Sequence, residues 1–183
     1  MAPAKLVVIT GGGSRQSDPA LLSDRIRDRT LEELAALGRE AVHISRHLGQ
    51  YTFDIRRYRS QGLPSPALAQ VLEDLRSASG IIVNTPIFNS TYSQVFKLFW
   101  DSFSEGDLGK TPTLLAAVGA TSSHALVLDH AIRPLLGHLG AAILPHSVFA
   151  LAEDLSGQSP SAAAVSDRIN KASTLLAARM AAQ

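Results

Sequence analysis

The feature that most constrains this chain is an alternation of two hydrophobic periods. Short β-branched runs are separated by longer stretches in which apolar residues recur every third or fourth position. The run "KLVVIT" (5–10) stops at Gly11-Gly12-Gly13. Residues 19–37 then place Leu21, Leu22, Ile26, Leu31, Leu34 and Leu37 on roughly one helical face. "EAVHIS" (40–45) reads as a second strand. Residues 46–65 show no clear period and contain Gly49, Gly62 and Pro64, which predicts a long irregular connection. "PALAQVLEDLRSA" (66–78) is a helix with Leu68, Val71, Leu72 and Leu75 inward. "GIIVNT" (80–85) is the third strand, and 93–104 the third helix. The rhythm continues with a strand at 111–119, a helix at 122–139, a strand at 141–151 bent or broken at Pro145, and a helix at 160–181.

Five strands alternating with five helices require crossover connections and a parallel sheet covered on both faces. Right-handed crossovers leave few topologies. At this length the expectation is an α/β three-layer sandwich, flavodoxin-like, with a five-stranded parallel sheet in the order 2-1-3-4-5. With 183 residues and 45% hydrophobic content the chain reads as one domain, 1–183, with a full core. It has no cysteine, which excludes disulfides, thiolate metal sites and cysteine nucleophiles. A net charge of +1 without a Lys/Arg cluster gives no footprint for nucleic acid or an anionic membrane. No segment approaches the ~20 apolar residues of a membrane span, and the N-terminus lacks a signal-peptide pattern, so a cytoplasmic protein is expected. The six histidines show no metal spacing: His43 and His47 are four apart but have no carboxylate to complete a set.

In such a sheet ligands bind outside the carboxyl ends of the strands. Three loops lie there: "TGGGSRQSDP", "TPIFNSTYS" and "VGATSSH". The first is rich in glycine and hydroxyls and feeds a helix, as an anion site requires. Ser14 and Ser17 offer hydroxyls and Arg15 a charged fork. It is neither a Walker loop nor a dinucleotide fingerprint, because Gln16 stands where a third Gly or Ala belongs. Read locally, the same residues make a strand-to-helix turn with Asp18 as N-cap and Pro19 as first helical residue. In the second loop Pro86 is expected to end the strand and free the following backbone, with Phe88 and Asn89 to wall and tether a heterocycle. Gly119, Ala120 and Thr121 are small enough for a planar ring to lie close to the backbone. The set suits flavin mononucleotide (FMN).

"TPIFNSTYSQVFKLFWD", "AAVGATSSHALVLDHAIRPLLGHLGA" and "ILPHSVFALAED" resemble the NAD(P)H-dependent FMN reductase family, in consistent order from about residue 4 to 155. The likeness is to actinobacterial-type members and to the FMN reductases of two-component alkanesulfonate monooxygenases. It implies a flavodoxin-like homodimer or homotetramer that passes hydride from NADPH or NADH to FMN, held as a substrate or loosely bound cofactor. It also implies that reduced flavin is passed to a partner monooxygenase. By position, Ser14 and Ser17 would hold the phosphate, Thr85, Pro86, Ile87, Phe88 and Asn89 the ring and ribityl chain, and Gly119, Ala120 and Thr121 the far side of the ring. The position of His130 lies on the interface helix of relatives. Two departures stand out: Asp18-Pro19-Ala20 replaces further hydroxyls, and Ala120 replaces a glycine. A carboxylate ~4 Å from a phosphate is repulsive by about 1–4 kcal/mol unless it turns away.

Hydride transfer needs orientation of two cofactors and no acid–base side chain, so no catalytic residue is assigned. His124, at the start of the helix after Thr121, reads either as a contact to the nicotinamide nucleotide or as an exposed helix-start histidine. The stretches Val95–Phe103 and Leu126–Leu136 are apolar around more than one face, which predicts a subunit interface. Pro134 cannot donate to the carbonyl of His130, so a kink or π-bulge is expected there, and Asp129 and Arg133 are spaced for an ion pair. Two other readings share the fold: a reductase of quinones, azo compounds or metal oxyanions that keeps its FMN, and an electron carrier without pyridine-nucleotide activity. Carriers of that kind tend to be strongly acidic; this chain is not.

Overall fold

A computed structural model describes residues 2–12, 17–157 and 159–183 of the chain. In chain order the elements are β1 (Ala4–Thr10), α1 (Asp18–Ala36), β2 (Ala41–His47), α2 (Thr52–Gln61), α3 (Pro66–Arg76), β3 (Gly80–Phe88), β4 (Thr91–Tyr92), α4 (Gln94–Trp100), β5 (Pro112–Gly119), α5 (Arg133–His138), β6 (Ala142–Ile143), β7 (Val148–Leu151), α6 (Ala152–Leu155) and α7 (Ala162–Ala181). Residues 80–85 and the whole of β5 are buried, as continuous apolar runs covered on both faces must be. Alternate residues of each strand point to opposite layers. Val7, Ile9, Ile81, Val83 and Leu115 pack with α2 to α5, whereas Leu6, Val8, Ile82, Leu114 and Ala116 pack with α1 and α7.

The sheet runs β2-β1-β3-β5-β6, with β7 continuing the β6 edge beside β5. These ladders are parallel. The expected 2-1-3-4-5 order is therefore present, its fifth position divided into β6 and β7 around Pro145. The break has a physical anchor. The Arg133 guanidinium donates to the Leu144 carbonyl at 3.0 Å and to the Ser147 hydroxyl at 2.9 Å, holding the looped-out residues against the preceding helix.

Three expectations are corrected. The stretch 46–65 is not irregular: β2 runs to His47, a 3₁₀ turn spans Leu48–Tyr51, and α2 follows. Its apolar stripe is thin, since Ile55 is its one fully buried residue. Gly62, in the left-handed conformation at φ 75°, closes it by donating to the Tyr58 carbonyl. Pro86 does not end β3, which continues to Phe88 and turns back antiparallel into β4. Ser17, not Asp18, is the N-cap of α1, and the exposed Asp18 opens its first turn, where a carboxylate favours the helix dipole.

Beyond β5 the helical path is composite: a 3₁₀ turn at Ser122–Ala125, a π-helical turn at Leu128–Ile132, then α5. The wide turn sits directly before Pro134, as the missing donor demands. Asp129 and Arg133 form the expected pair at 3.0 Å. Phe96, Phe99, Trp100 and Phe103 prove to be core, while Val95, Leu98, Ala131 and Leu135 are half-buried and Leu126 is exposed.

Two buried carboxylates tie elements together. Asp74 accepts from Lys5 at 3.0 Å, Arg46 at 2.7 Å and Gln70 at 3.1 Å. Burial alone would raise its pKa; those bonds outweigh burial and hold it below the usual carboxylate value. Asp154 accepts the Leu151 amide at 2.8 Å and the hydroxyls of Ser159 and Ser161, and is lowered against its burial in the same way. No helix among the described residues is long and apolar enough to cross a membrane.

Candidate functional site

Parallel strands β1, β3 and β5 end together, so the loops leaving them share one edge of the sheet. Their mutual placement is fixed by backbone and buried side-chain bonds. The Gly11 amide donates to the Asn84 carbonyl at 2.7 Å, and the Gly49 amide to the Gly12 carbonyl at 3.0 Å. The Asn84 side chain, wholly buried, donates to the Pro19 carbonyl at 2.6 Å and to the Ser23 hydroxyl at 3.0 Å. Ser23 in turn bonds Thr10 at 2.8 Å. The first turn of α1 is thus bound to the ends of β1 and β3, with its free amides facing the loop edge.

Glycine is required at Gly11, where a Cβ would lie 2.7 Å from the Phe96 ring and 2.9 Å from the Thr85 hydroxyl. Gly12 is open, with its nearest neighbours near 3.8 Å. Ser17, the N-cap, stands beside it. This combination of a close-lying backbone, an N-cap hydroxyl and the start of a long helix suits a phosphate. Ser14 and Arg15, the other two expected phosphate ligands, lie outside the described residues.

The second loop is a β-hairpin. Ile87 pairs with Tyr92 and Phe88 with Thr91, leaving Asn89 and Ser90 as a two-residue turn at φ 47° and 60°. Two consecutive positive φ values are the pattern of the tight turns that match strand twist, and Asn tolerates that region better than most residues. The hairpin divides the five expected ring residues. Thr85 and Ile87 are buried, Ile87 within the core. Pro86 is half-buried, and Phe88 and Asn89 are exposed at the tip. Phe88 is 61% exposed, an unusual position for an aromatic with no structural task.

The third loop closes the site. A Cβ on Gly119 would lie 2.7 Å from the His124 Cβ, 2.9 Å from its Nδ1 and 3.0 Å from the Phe149 ring. Nδ1 of His124 accepts the Ala120 amide at 3.3 Å, while Ala120 and Thr121 are exposed. His124 therefore shapes the loop from behind, a role that spacing alone did not reveal. Asn84 was missed too; a single Asn within "GIIVNT" was the available signal, a polar residue in an otherwise apolar central strand. No group of three metal-ligating side chains occurs among the described residues.

An exposed aromatic tip, a glycine floor and a helix N-terminus along one edge offer a flat apolar face, polar edges and an anion site together. These are the requirements of FMN. Residues 4–156 match the model of a family described as NADPH-dependent FMN reductase. The chain is 37% identical over 176 residues to the NADH-dependent FMN reductase SfnE of Pseudomonas putida, covering 93% of this chain and 89% of that protein. It is 32% identical over 155 residues to an FMN reductase (NADPH) of Pseudomonas aeruginosa, covering 84% and 80%. Among solved structures, an oxidoreductase from Corynebacterium diphtheriae superposes with a TM-score of 0.91 at 28% identity, over 99% of this chain and 98% of that one. The chain belongs to the NADPH-dependent FMN reductase family.

Proposed function

We infer that the protein is an NAD(P)H-dependent FMN reductase acting as a single domain. The observation that carries this reading is the meeting of the Phe88–Asn89 hairpin tip, the Gly119–Thr121 loop and the start of α1 at one sheet edge. FMN, when bound, supplies the hydride acceptor. The chain supplies orientation. Gly12, Ser17 and the amides of the first α1 turn would hold the phosphate, with Ser14 and Arg15 as the further ligands the sequence offers. Phe88 and Pro86 would give the ring an apolar wall, Asn89 would meet its polar edge, and Gly119–Thr121 would leave room on the other side. The exposed Ala120 and Thr121 leave a place for the nicotinamide, which must stack within about 3–3.5 Å of the flavin for transfer. No side chain is needed to move a proton in that step.

An open rim around the site suits a flavin that exchanges, and we read the protein as a supplier of reduced flavin to a flavin-dependent monooxygenase. The half-buried Val95, Leu98, Ala131 and Leu135 with the exposed Leu126 suit a homodimer or homotetramer contact. The absence of a spanning helix among the described residues accords with a cytoplasmic location.

The test is the rate of NADPH and NADH oxidation by purified protein as free FMN is added. Saturable dependence on FMN, from a nearly colourless protein, is expected. A yellow protein with a flat FMN response that turns over a quinone would instead identify a bound-flavin reductase. No oxidation and no FMN binding would overturn the reading.

A further inference from the structure

A second concavity lies beside the ring loop, at the open edge of the sheet. It is lined by Leu128, Asp129 and Arg133 from the π-turn and α5, by Pro145–Ser147 and Phe149, and by Arg168 and Lys171 from α7. Phe149 is common to both sites: its ring would touch a Cβ on Gly119, and it also walls the cleft. Ala125, one residue after His124, lines the cleft as well. Since Leu151 pairs with Gly119, Phe149 stands two residues, or about 7 Å, down the strand from the ring loop.

The charge of this cleft is one-sided. Arg133, Arg168 and Lys171 face it with His146, against Asp129 in the lining and the buried Asp154 carboxylate near Arg168. Asp129 is already engaged by Arg133 at 3.0 Å. Arg133 is held by three bonds, to Asp129, the Leu144 carbonyl and the Ser147 hydroxyl, so its position is preset. Arg168 and Lys171 stand three apart on the same face of α7, both exposed, and Arg168 also lies close enough to the buried Asp154 carboxylate for its charge to help hold that group's pKa down. A whole-chain net charge of +1 makes three cations in one cleft a local feature rather than bulk basicity.

We propose that this cleft binds the phosphate dianion that distinguishes NADPH from NADH, with Arg168 and Lys171 as the reading cations and Arg133 as the fixed floor. The inference rests on the FMN reductase reading, which puts the nicotinamide at Ala120–Thr121. From there a dinucleotide laid past Phe149 brings its adenosine end into the cleft. The site therefore makes NADPH the favoured donor. The arginines of α2 are less well placed for this task, because Arg59 is spent on the Asp101 carbonyl at 2.7 Å and α2 follows the far edge strand, β2.

Two measurements test the proposal. The first is the ratio of KM for NADPH to KM for NADH, in wild type and in the double variant Arg168→Ala/Lys171→Ala, both positions being exposed on a helix that tolerates alanine. Loss of the two charge-assisted contacts is expected to shift the ratio about tenfold against NADPH, and Arg168→Lys/Lys171→Arg to restore most of it. An unshifted ratio overturns the proposal. The second is calorimetric titration of the full chain with adenosine 2′,5′-bisphosphate, with adenosine 5′-monophosphate and with inorganic phosphate, at low and high salt. Tighter, salt-sensitive binding of the bisphosphate that the double variant loses supports it. Equal binding of bisphosphate and monophosphate, or equally tight inorganic phosphate, overturns it in favour of a nonspecific anion cleft. Because the titration needs no turnover, a protein that oxidises neither nucleotide would sink the reductase reading while the cleft is still tested.

Discussion

The side-chain amide of Asn84 donates to the carbonyl of Pro19 across 2.6 Å, joining the strand that leads to the ring hairpin to the first turn of α1. The bond is wholly buried, and a second donation reaches Ser23. The proposed phosphate end and the proposed ring end of the site are therefore held in register through one amide. Asn84→Leu removes both donations and leaves the Pro19 carbonyl without that partner, at a cost of about 1–3 kcal/mol. The expected outcome is a lower urea midpoint together with weaker FMN binding by fluorescence titration. Ser23→Ala, which keeps the Pro19 bond, should lose less of both. Equal FMN affinity in all three proteins would mean that the two ends are positioned independently.

Gly119 and Gly137 make opposite predictions for the same substitution. Alanine at Gly119 drives a methyl to within 3.0 Å of His124 and Phe149, so the ring that accepts the Ala120 amide must move. Overpacking of this kind costs about 1–3 kcal/mol, and FMN affinity should fall with stability. Alanine at Gly137, inside α5, meets only the Ile143 methyl at 3.8 Å. There the lost backbone freedom of the unfolded chain should raise stability by about 0.5–1 kcal/mol, with flavin binding unchanged. Thermal melts and FMN titrations of the two variants separate these effects.

The strands were legible because burial on two faces leaves a mark that survives in one sequence. "KLVVIT", "GIIVNT" and "TPTLLAAVG" are each built on an unbroken apolar run, and each became a central strand. The break at Pro145 and the wide turn before Pro134 were legible for a different reason: proline removes a donor wherever it stands. The same rule misled at Pro86. There the missing donor falls on the last rung of the β3–β5 ladder, opposite Val118, where the strand leaves the sheet for its hairpin and little pairing is lost. The helix at 52–61 was hidden because a surface helix that buries Ile55 and little else has almost no stripe to read. In the candidate site, residue types singled out three loops, and the alternation along β3 decides that Phe88 faces out while Thr85 and Ile87 face in. That assignment depends on the hairpin register, which Asn89-Ser90 does not announce as an Asn-Gly pair would.

Asp154 predicts how the protein responds to acid. Bonds from Ser159, Ser161 and the Leu151 amide hold its folded pKa below the ordinary carboxylate value despite burial. A group depressed on folding stabilises the protein above its unfolded pKa of about 3.9, and that stabilisation disappears as pH falls through the lower folded value. Melting temperature should thus drop below about pH 4 in wild type, with Asp74 contributing in the same direction. Asp154→Asn should melt lower at neutral pH and show a shallower acid slope. Parallel curves for the two proteins would assign the acid sensitivity elsewhere.

Phe88 separates binding from stability. It lies outside both core clusters and is 61% exposed at the hairpin tip, so its removal uncovers almost nothing that folding had buried. Surface substitutions of this kind stay within about 0.5 kcal/mol in stability. An aromatic face against a flavin, by contrast, contributes about 0.5–1.5 kcal/mol beyond the area it covers. Phe88→Ala is expected to leave the melting temperature in place and to weaken FMN binding by about tenfold, which corresponds to 1.4 kcal/mol. Its neighbour supplies the control. Asn89→Gly suits the positive φ of the turn and keeps the hairpin, so any loss of FMN affinity there reports the missing side-chain amide and not a distorted loop. If Phe88→Ala binds FMN as wild type does, the hairpin tip does not wall the flavin ring, and that wall must come from the opposite loop or from a second subunit.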